Sequence, residues 1–308
     1  MVAAGPRAAD LQRAYASCVN EARGHYENFP VASFLVPRTM RRHVAAVYAF
    51  ARAADDFADE GERTADVRRT LLDGWLQRLQ DAAPSAAGSM ERVAWPEQSA
   101  PRPGEPQNAP AVFLALGASI RSVPLPLAPF EDLLSAFRQD VDVTRYASWT
   151  ALLDYCRRSA NPVGRLVLRI AGYDEARLDA WSDAICTALQ LTNFWQDLKI
   201  DFDRGRIYLP EEERSLHGAE EADLAAGHVT EPWQRALSAA TGRTRALFME
   251  GRPLCDAVRG RLRLELRATW LGGMRVLDRL ERVAFDVVRR RPSLGARDAL
   301  WIAGRLLT

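Results

Sequence analysis

The chain has 308 residues, 48% of them hydrophobic, which is enough to bury a large core and too apolar for a disordered polyelectrolyte. With 41 basic and 40 acidic side chains the net charge is +1, and with no zinc-finger spacing or basic stripe interleaved with aromatics it argues against a nucleic-acid binder. The neutrality averages unequal parts, since residues 251–308 hold 13 Arg against 6 Asp or Glu, a surplus of about +7, and residues 1–250 sum to −6.

The first twenty residues contain no continuous apolar stretch of the kind a secretory signal needs. Residues 40–59 place Val44, Val47, Tyr48, Ala51, Ala54 and Ala58 on one broad stripe, with Arg41, Arg42 and Arg52 toward a more polar side, and this predicts a helix. Residues 82–110 contain six prolines among Ser, Gly, Gln and Asn and read as a flexible connection. The longest apolar runs, such as 111–120, fall short of the roughly twenty residues that span a bilayer. Residues 149–171, 179–200 and 262–289 repeat the helical period, and 294–307 reads as a shorter helix with Leu300, Trp301, Ile302 and Leu306. That last segment is either a terminal core helix or one that touches a membrane surface.

Alternating strand patterns bounded by hairpin turns are missing, so the expected fold is an all-α bundle. Cys18, Cys156, Cys186 and Cys255 are widely spaced and make no CxxC pair. A disulfide framework is therefore not expected, and the usage suits a reducing cytoplasm.

Two acidic clusters carry the chemistry. In the first, Arg52 precedes Asp55, Asp56, Asp59 and Glu60 on an otherwise apolar helix. Residues four apart on a helix are displaced by only about 40°, so Asp55 and Asp59 aim at one point. In the second, Asn193, Asp197 and Asp201 follow one another at spacings of four. Either cluster alone reads first as a solvated helix face. Two matched clusters beside Phe50, Phe57, Phe194 and Trp195 point further, to carboxylates facing each other across a cavity. Such a group repels itself unless hard cations sit between, and Mg²⁺ prefers oxygen ligands plus substrate phosphates. An acidic site beside apolar helices suits a substrate with a diphosphate head and a hydrocarbon tail. The clusters flank the proline-rich segment and make sense only if they meet, so the chain is read as one domain, 1–308, with a long loop at 82–110. No His has a Glu three residues before it, which excludes a di-iron carboxylate bundle, and EF-hand, Walker and GxGxxG patterns are absent.

The sequence from His25 to about Arg291 resembles the squalene/phytoene synthases. The likeness is carried by the run from Tyr48 through Arg52, Asp55 and Asp56 to Asp59, and by Tyr155-Cys156 followed by Val163-Gly164. A longer block runs from Leu189-Gln190 through Asn193, Asp197, Asp201, Arg204, Arg206 and Tyr208 to Pro210. The resemblance implies the class I isoprenoid synthase helical bundle with a central cavity, and an isoprenoid diphosphate substrate held through Mg²⁺. A finer likeness, in the segment from His25 through Glu27, Asn28 and Phe29 to Pro37 and in Ser159-Ala160-Asn161-Pro162, is to hydroxysqualene synthases of bacterial hopanoid pathways. An aromatic residue common in the family's C-terminal helix is replaced near Gly272-Gly273-Met274.

These departures imply conversion of presqualene diphosphate and water to hydroxysqualene, without NADPH. The alternative is head-to-head condensation of two farnesyl diphosphates. The metal would lie on Asp55, Asp59, Asn193, Asp197 and Asp201. Diphosphate contacts would come from His25, Arg52, Arg204 and Arg206, with Gln190 and Tyr208 also at the substrate. The arginines equally suit ion pairing with the adjacent aspartates. Phe29, Tyr48, Phe50, Tyr155 and Trp195 would line the hydrocarbon or simply fill the core. Asn161 before Pro162 would place a polar group beside the cation or merely kink a packed helix. Asp140 matches a family position near the site and is also a simple helix-end acid, and Arg289, Arg290 and Arg291 would reach a diphosphate, anionic lipid or solvent. A cytoplasmic enzyme, peripheral on the inner face of the membrane, is expected, with neighbours that supply presqualene diphosphate and reduce hydroxysqualene.

Overall fold

The computed structural model describes residues 8–24, 35–83 and 100–306. The described residues are all-α, and the one pairing of extended backbone among them is an isolated bridge between Arg145 and Ile207. They form two compact units, one of residues 1–142 with 166–174, the other of 143–165 with 175–308, so the chain passes between them after Asp142, within helix α7 (Asn161–Ile170) and after Asp174.

In the first unit α2 (Arg38–Asp59) packs against α1 (Ala8–Gly24), α3 (Ala65–Ala82), α4 (Ala109–Ser122) and α5 (Ala128–Asp140). Its small residues Ala45, Ala46, Ala49, Ala53 and Ala54 are all buried and let neighbouring backbones approach closely. Phe50 then meets one aromatic ring from each of three helices: Trp75 of α3 at 6.0 Å, Phe113 of α4 at 6.1 Å and Phe130 of α5 at 5.4 Å. Each buried phenyl contributes roughly 2–3 kcal/mol, and the Trp75 indole N–H is satisfied by the Phe50 carbonyl at 3.1 Å. Phe50 is thus a core residue.

The proline-rich stretch is narrower than its composition implies. Ala82 is the last residue of α3, and Ala109 and Pro110 open α4, where a proline loses nothing by lacking an N–H. Arg78 donates to both oxygens of Glu105, at 2.9 and 2.8 Å, and the two side chains are 5% and 3% exposed. That buried two-pronged pair fastens the end of the stretch to α3, whereas residues 84–99 lie outside the described residues.

In the second unit α8 (Ala176–Asp203) packs against α6 (Trp149–Ser159), α11 (Glu231–Gly251), α12 (Leu254–Ala257) and α13 (Gly260–Arg282). α9 (Glu211–His217) lies on α11, α10 (Glu221–Ala225) follows it in sequence, and α14 (Ala296–Arg305) lies on α13. A Cβ on Gly251 would stand 2.5 Å from Ile185 and 2.7 Å from the Trp181 carbonyl, so glycine lets α11 end against α8. Trp195 is 1% exposed with its N–H on Thr244, a core placement.

Two predicted helices differ from the structure. Residues 149–171 break into α6 and α7 at Ala160, since Pro162 cannot donate back into the preceding turn. Residues 262–289 end at Arg282, because Ala284 and Phe285 take left-handed backbone (φ 49° and 61°) while Phe285 and Val287 are drawn into the core. Burial pushes the Cys18 and Cys186 thiols up to about 12, and all four cysteines are free and buried.

Candidate active site

The first acidic cluster occupies the C-terminal turns of α2. Arg52 reaches Asp55 at 3.3 Å and Asp56 at 2.6 Å. Burial alone would lower the Arg52 guanidinium pKa, but Asp56 and Asp55 outweigh it and hold the group above its usual value. Tyr48, one turn earlier, is half-buried, and burial raises its phenol pKa, so it stays a neutral hydroxyl at pH 7.

The second cluster occupies the corresponding end of α8. Thr187, Gln190, Asn193, Asp197 and Asp201 fall within an arc of about 120° on this helix. Asn193 Nδ2 donates to Asp197 Oδ2 at 2.8 Å. Arg291 also donates to Asp197, from Nε to Oδ1 and from Nη2 to Oδ2 at 3.2 Å, and Gln196 donates to the Pro292 carbonyl beside it. The sequence offered Arg291 a diphosphate, a lipid or solvent; the structure gives it the middle member of the cluster. The turn after α8, with Gly205 at φ 80°, brings the Arg206 N–H onto the Asp201 carbonyl at 2.8 Å and leaves Arg204 exposed.

Both helices place carboxylates in their final turns with no basic residue there. The helix macrodipole makes each such acid unfavourable by about 0.3–1 kcal/mol. Local conflicts of this kind, in which acids sit against the helix dipole, are expected to gather at functional sites.

An aromatic wall adjoins the second cluster. Phe194 and Tyr208 stack in parallel, 3.7 Å apart at 4°. Tyr155 tilts over both at 6.3 and 6.2 Å, and Tyr146, which the sequence pattern does not single out, joins Tyr155 at 5.5 Å and Tyr208 at 5.9 Å. Asn161 is buried, with the Thr187 hydroxyl donating to its Oδ1 at 2.9 Å. Thr187 also escapes the sequence reading, although its spacing of three from Gln190 continues the polar stripe. Gly164 lies so close to α8 that a Cβ would stand 2.3 Å from Ser182 Oγ and 2.6 Å from Cys186 Sγ. At Gly273 a Cβ would stand 2.3 Å from the Phe248 ring, which therefore leaves no room for a side chain at that position.

The sequence-predicted residues divide between the units. Tyr48, Arg52, Asp55 and Asp59 lie in the first, and Tyr155, Asn161, Gln190, Asn193, Asp197, Asp201, Arg204, Arg206 and Tyr208 in the second. Asp140 is buried at the end of α5. His25, Glu27, Asn28 and Phe29 lie outside the described residues. Among the described residues no three His, Cys, Asp or Glu side chains gather closely enough to hold a metal ion between them. The donors fit Mg²⁺ nevertheless: they are hard oxygens, and this ion takes one or two carboxylates and completes its shell with water and phosphate oxygens.

The fold and these clusters define a class, helical proteins in which the central helix of each unit ends in aspartates, with an aromatic stack beside those of the second. The squalene/phytoene synthase pattern matches residues 22–298, and the chain belongs to that enzyme family. A hydroxysqualene synthase of Zymomonas mobilis is 37% identical over 238 residues, covering 76% of this chain and 71% of that one. One from Rhodopseudomonas palustris is 35% identical, covering 78% and 74%. Phytoene synthase 3 of Zea mays is 28% identical over 94% of this chain and 67% of its own. The crystal structure of squalene synthase HpnC from Alicyclobacillus acidocaldarius superimposes with a TM-score of 0.77 at 36% identity, covering 91% of this chain and 97% of that one. The fold is thus the isoprenoid synthase helical fold.

Proposed function

We propose that the protein converts presqualene diphosphate and water to hydroxysqualene and diphosphate, with Mg²⁺ held by Asp55, Asp59, Asn193, Asp197 and Asp201. The observation that carries the reading is the face of α8, where Asn193, Asp197 and Asp201 share one arc with Phe194, which stacks on Tyr208 with Tyr155 tilted beside it. Oxygen donors for a diphosphate head stand beside π faces for a hydrocarbon cation. Similarity to hydroxysqualene synthases supports this reaction within the family.

In this reading residues 1–308 act as one domain, and both aspartate-bearing helices contribute donors. The bound metal supplies charge stabilisation to the departing diphosphate. Arg52, Arg204, Arg206 and His25 hold phosphate oxygens, and Gln190 and Tyr48 orient the head. The carbon–oxygen bond breaks with its electron pair leaving on diphosphate. Tyr155, Tyr208 and Phe29 shield the rearranged cation, and Asn161, fixed by Thr187, orients the water whose oxygen forms the new bond and whose proton passes to solvent or diphosphate. No electrons are transferred, so NADPH is not required. The substrate comes from a step that joins two farnesyl diphosphates, and the product passes to one that reduces it. No described helix is long and apolar enough to cross a membrane, and a cytoplasmic enzyme touching the membrane surface suits so apolar a product.

The second reading, condensation of two farnesyl diphosphates, is favoured by the match to a phytoene synthase over almost the whole chain. Purified protein with Mg²⁺ is given presqualene or farnesyl diphosphate, with and without NADPH, and products are identified by mass spectrometry. Hydroxysqualene from presqualene diphosphate without NADPH is expected. Product from farnesyl diphosphate alone transfers the assignment to condensation, and no turnover under any condition removes both.

A further inference from the structure

Part of the positive surplus of the last 58 residues gathers around one cavity. At the end of α11 a cavity of about 170 Å³ is lined by Arg252, Arg267 and Arg305 with Trp270 and Leu271. Arg252, Arg267 and the neighbouring Arg263 share a single carboxylate, Asp256, at 2.7, 2.7 and 3.2 Å. Arg305 lies over the Trp301 ring at 4.1 Å and Arg252 over Trp270 at 5.4 Å. Arg267 also donates to the Leu306 carbonyl at 3.0 Å, while its Nε is buried and makes no hydrogen bond among the described residues. Three guanidinium groups on one carboxylate, with a fourth lining the same cavity, repel one another, and an anion between them relieves that repulsion.

This place is separate from the acidic end of α8. Gly251, the neighbour of Arg252, sits against Trp181 and Ile185, and Asp197 lies twelve residues beyond Ile185, about 18 Å along the helix.

We propose that this cavity is a second anion site, taking a phosphate-type oxyanion. Planar guanidinium forks match tetrahedral phosphate oxygens and hold them with two donors each. The volume is several times the roughly 30 Å³ of a water and admits a phosphate or diphosphate group. Trp270 and Leu271 give the cavity one partly apolar wall, which lowers the polarity beside the charges. Two sources offer this chemistry: free phosphate or diphosphate, and the phosphate of an anionic lipid. For the second, α14 presents Leu300, 75% exposed, on the side of the helix turned away from Asp298.

The test uses metal-free full-length protein in EDTA, so that the acidic clusters offer phosphate no cation. Inorganic phosphate and diphosphate are titrated by calorimetry into the wild type and into Arg252→Gln, Arg267→Gln and Arg305→Gln. In a second arm the same proteins are floated with vesicles of phosphatidylcholine alone or with about one quarter phosphatidic acid. Saturable binding in either arm is expected, weakened about tenfold by each substitution, the loss of one charge-assisted hydrogen bond. Arg305 is exposed on the last turn of α14, so Arg305→Gln keeps the fold, checked by circular dichroism, if the Arg267 variant does not. Binding in the first arm alone assigns a free anion, and binding only to the acidic vesicles assigns a lipid phosphate. No binding in either arm, or binding equal in the wild type and the folded variants, overturns the proposal.

Discussion

Replacing Arg291 by alanine removes the guanidinium that stands on the middle member of the α8 cluster. Asp197 is 16% exposed and Arg291 44% exposed, and two nitrogens are engaged. A pair this open to solvent contributes about 0.5–1 kcal/mol after screening. A metal ion on Asp197 must compete with Arg291 for the same oxygens, so removing the competitor returns that energy to metal binding, a gain of about two- to fivefold in Mg²⁺ affinity. The assay is calorimetric titration of metal-free protein with Mg²⁺, repeated at rising KCl. The gain is expected to shrink with salt, because the lost pair is itself screened. Arg291→Lys is expected to fall between, since an ammonium cannot reproduce the two-pronged contact. An unchanged or weaker affinity in Arg291→Ala refutes the reasoning and makes Arg291 a supporting group for the metal rather than its rival.

Other outcomes follow from the same contacts. Asp55→Ala and Asp197→Ala are expected to lower turnover by orders of magnitude with the circular dichroism spectrum unchanged; near-wild-type rates remove these residues from the site. Gly164→Ala and Gly273→Ala force a methyl against Ser182 and Cys186 or against Phe248, and denaturant titration is expected to show a loss of about 1–3 kcal/mol for each. Asp298 accepts from the Gly295 N–H, Arg275 and Arg279, and these bonds, that N–H first, hold its carboxyl down at about 2. Its folded pKa lies below the unfolded value, so its stabilisation is present above the ordinary carboxylate range and is lost as pH falls toward about 2. Asp298→Ala is expected to cost about 2 kcal/mol through the lost cap and ion pairs, and to flatten the stability profile between about pH 4 and 2.

Much of the candidate site was legible because helical spacing is a local property. Asp55 and Asp59, and Asn193, Asp197 and Asp201, share a face wherever the backbone is helical, and apolar periodicity fixes that backbone from nearby residues alone. The likeness to a known family rested on the same short-range blocks. Contacts between residues far apart in sequence left no such mark. Nothing in the period of α8 shows that Arg291, 94 positions away, returns to Asp197, that Tyr146 joins the ring stack, or that Thr187 fixes Asn161.

The helical class, the two acidic faces and the family are all written in spacings of a few residues, so the amino-acid order is enough to read them. Which helix sits at the centre of each unit, and where the helices stop, depended on packing. Ala160 and Pro162 divide one predicted helix, and burial of Phe285 and Val287 ends another at Arg282. Packing also settled where the charge surplus of the C-terminal 58 residues goes. One arginine, Arg291, stands on Asp197, two close on Asp298, and others gather around Asp256 and the cavity beside it. A count of charges fixes their sum, but only the folded chain brings charges distant in sequence within reach of one another, and their energy depends on that distance.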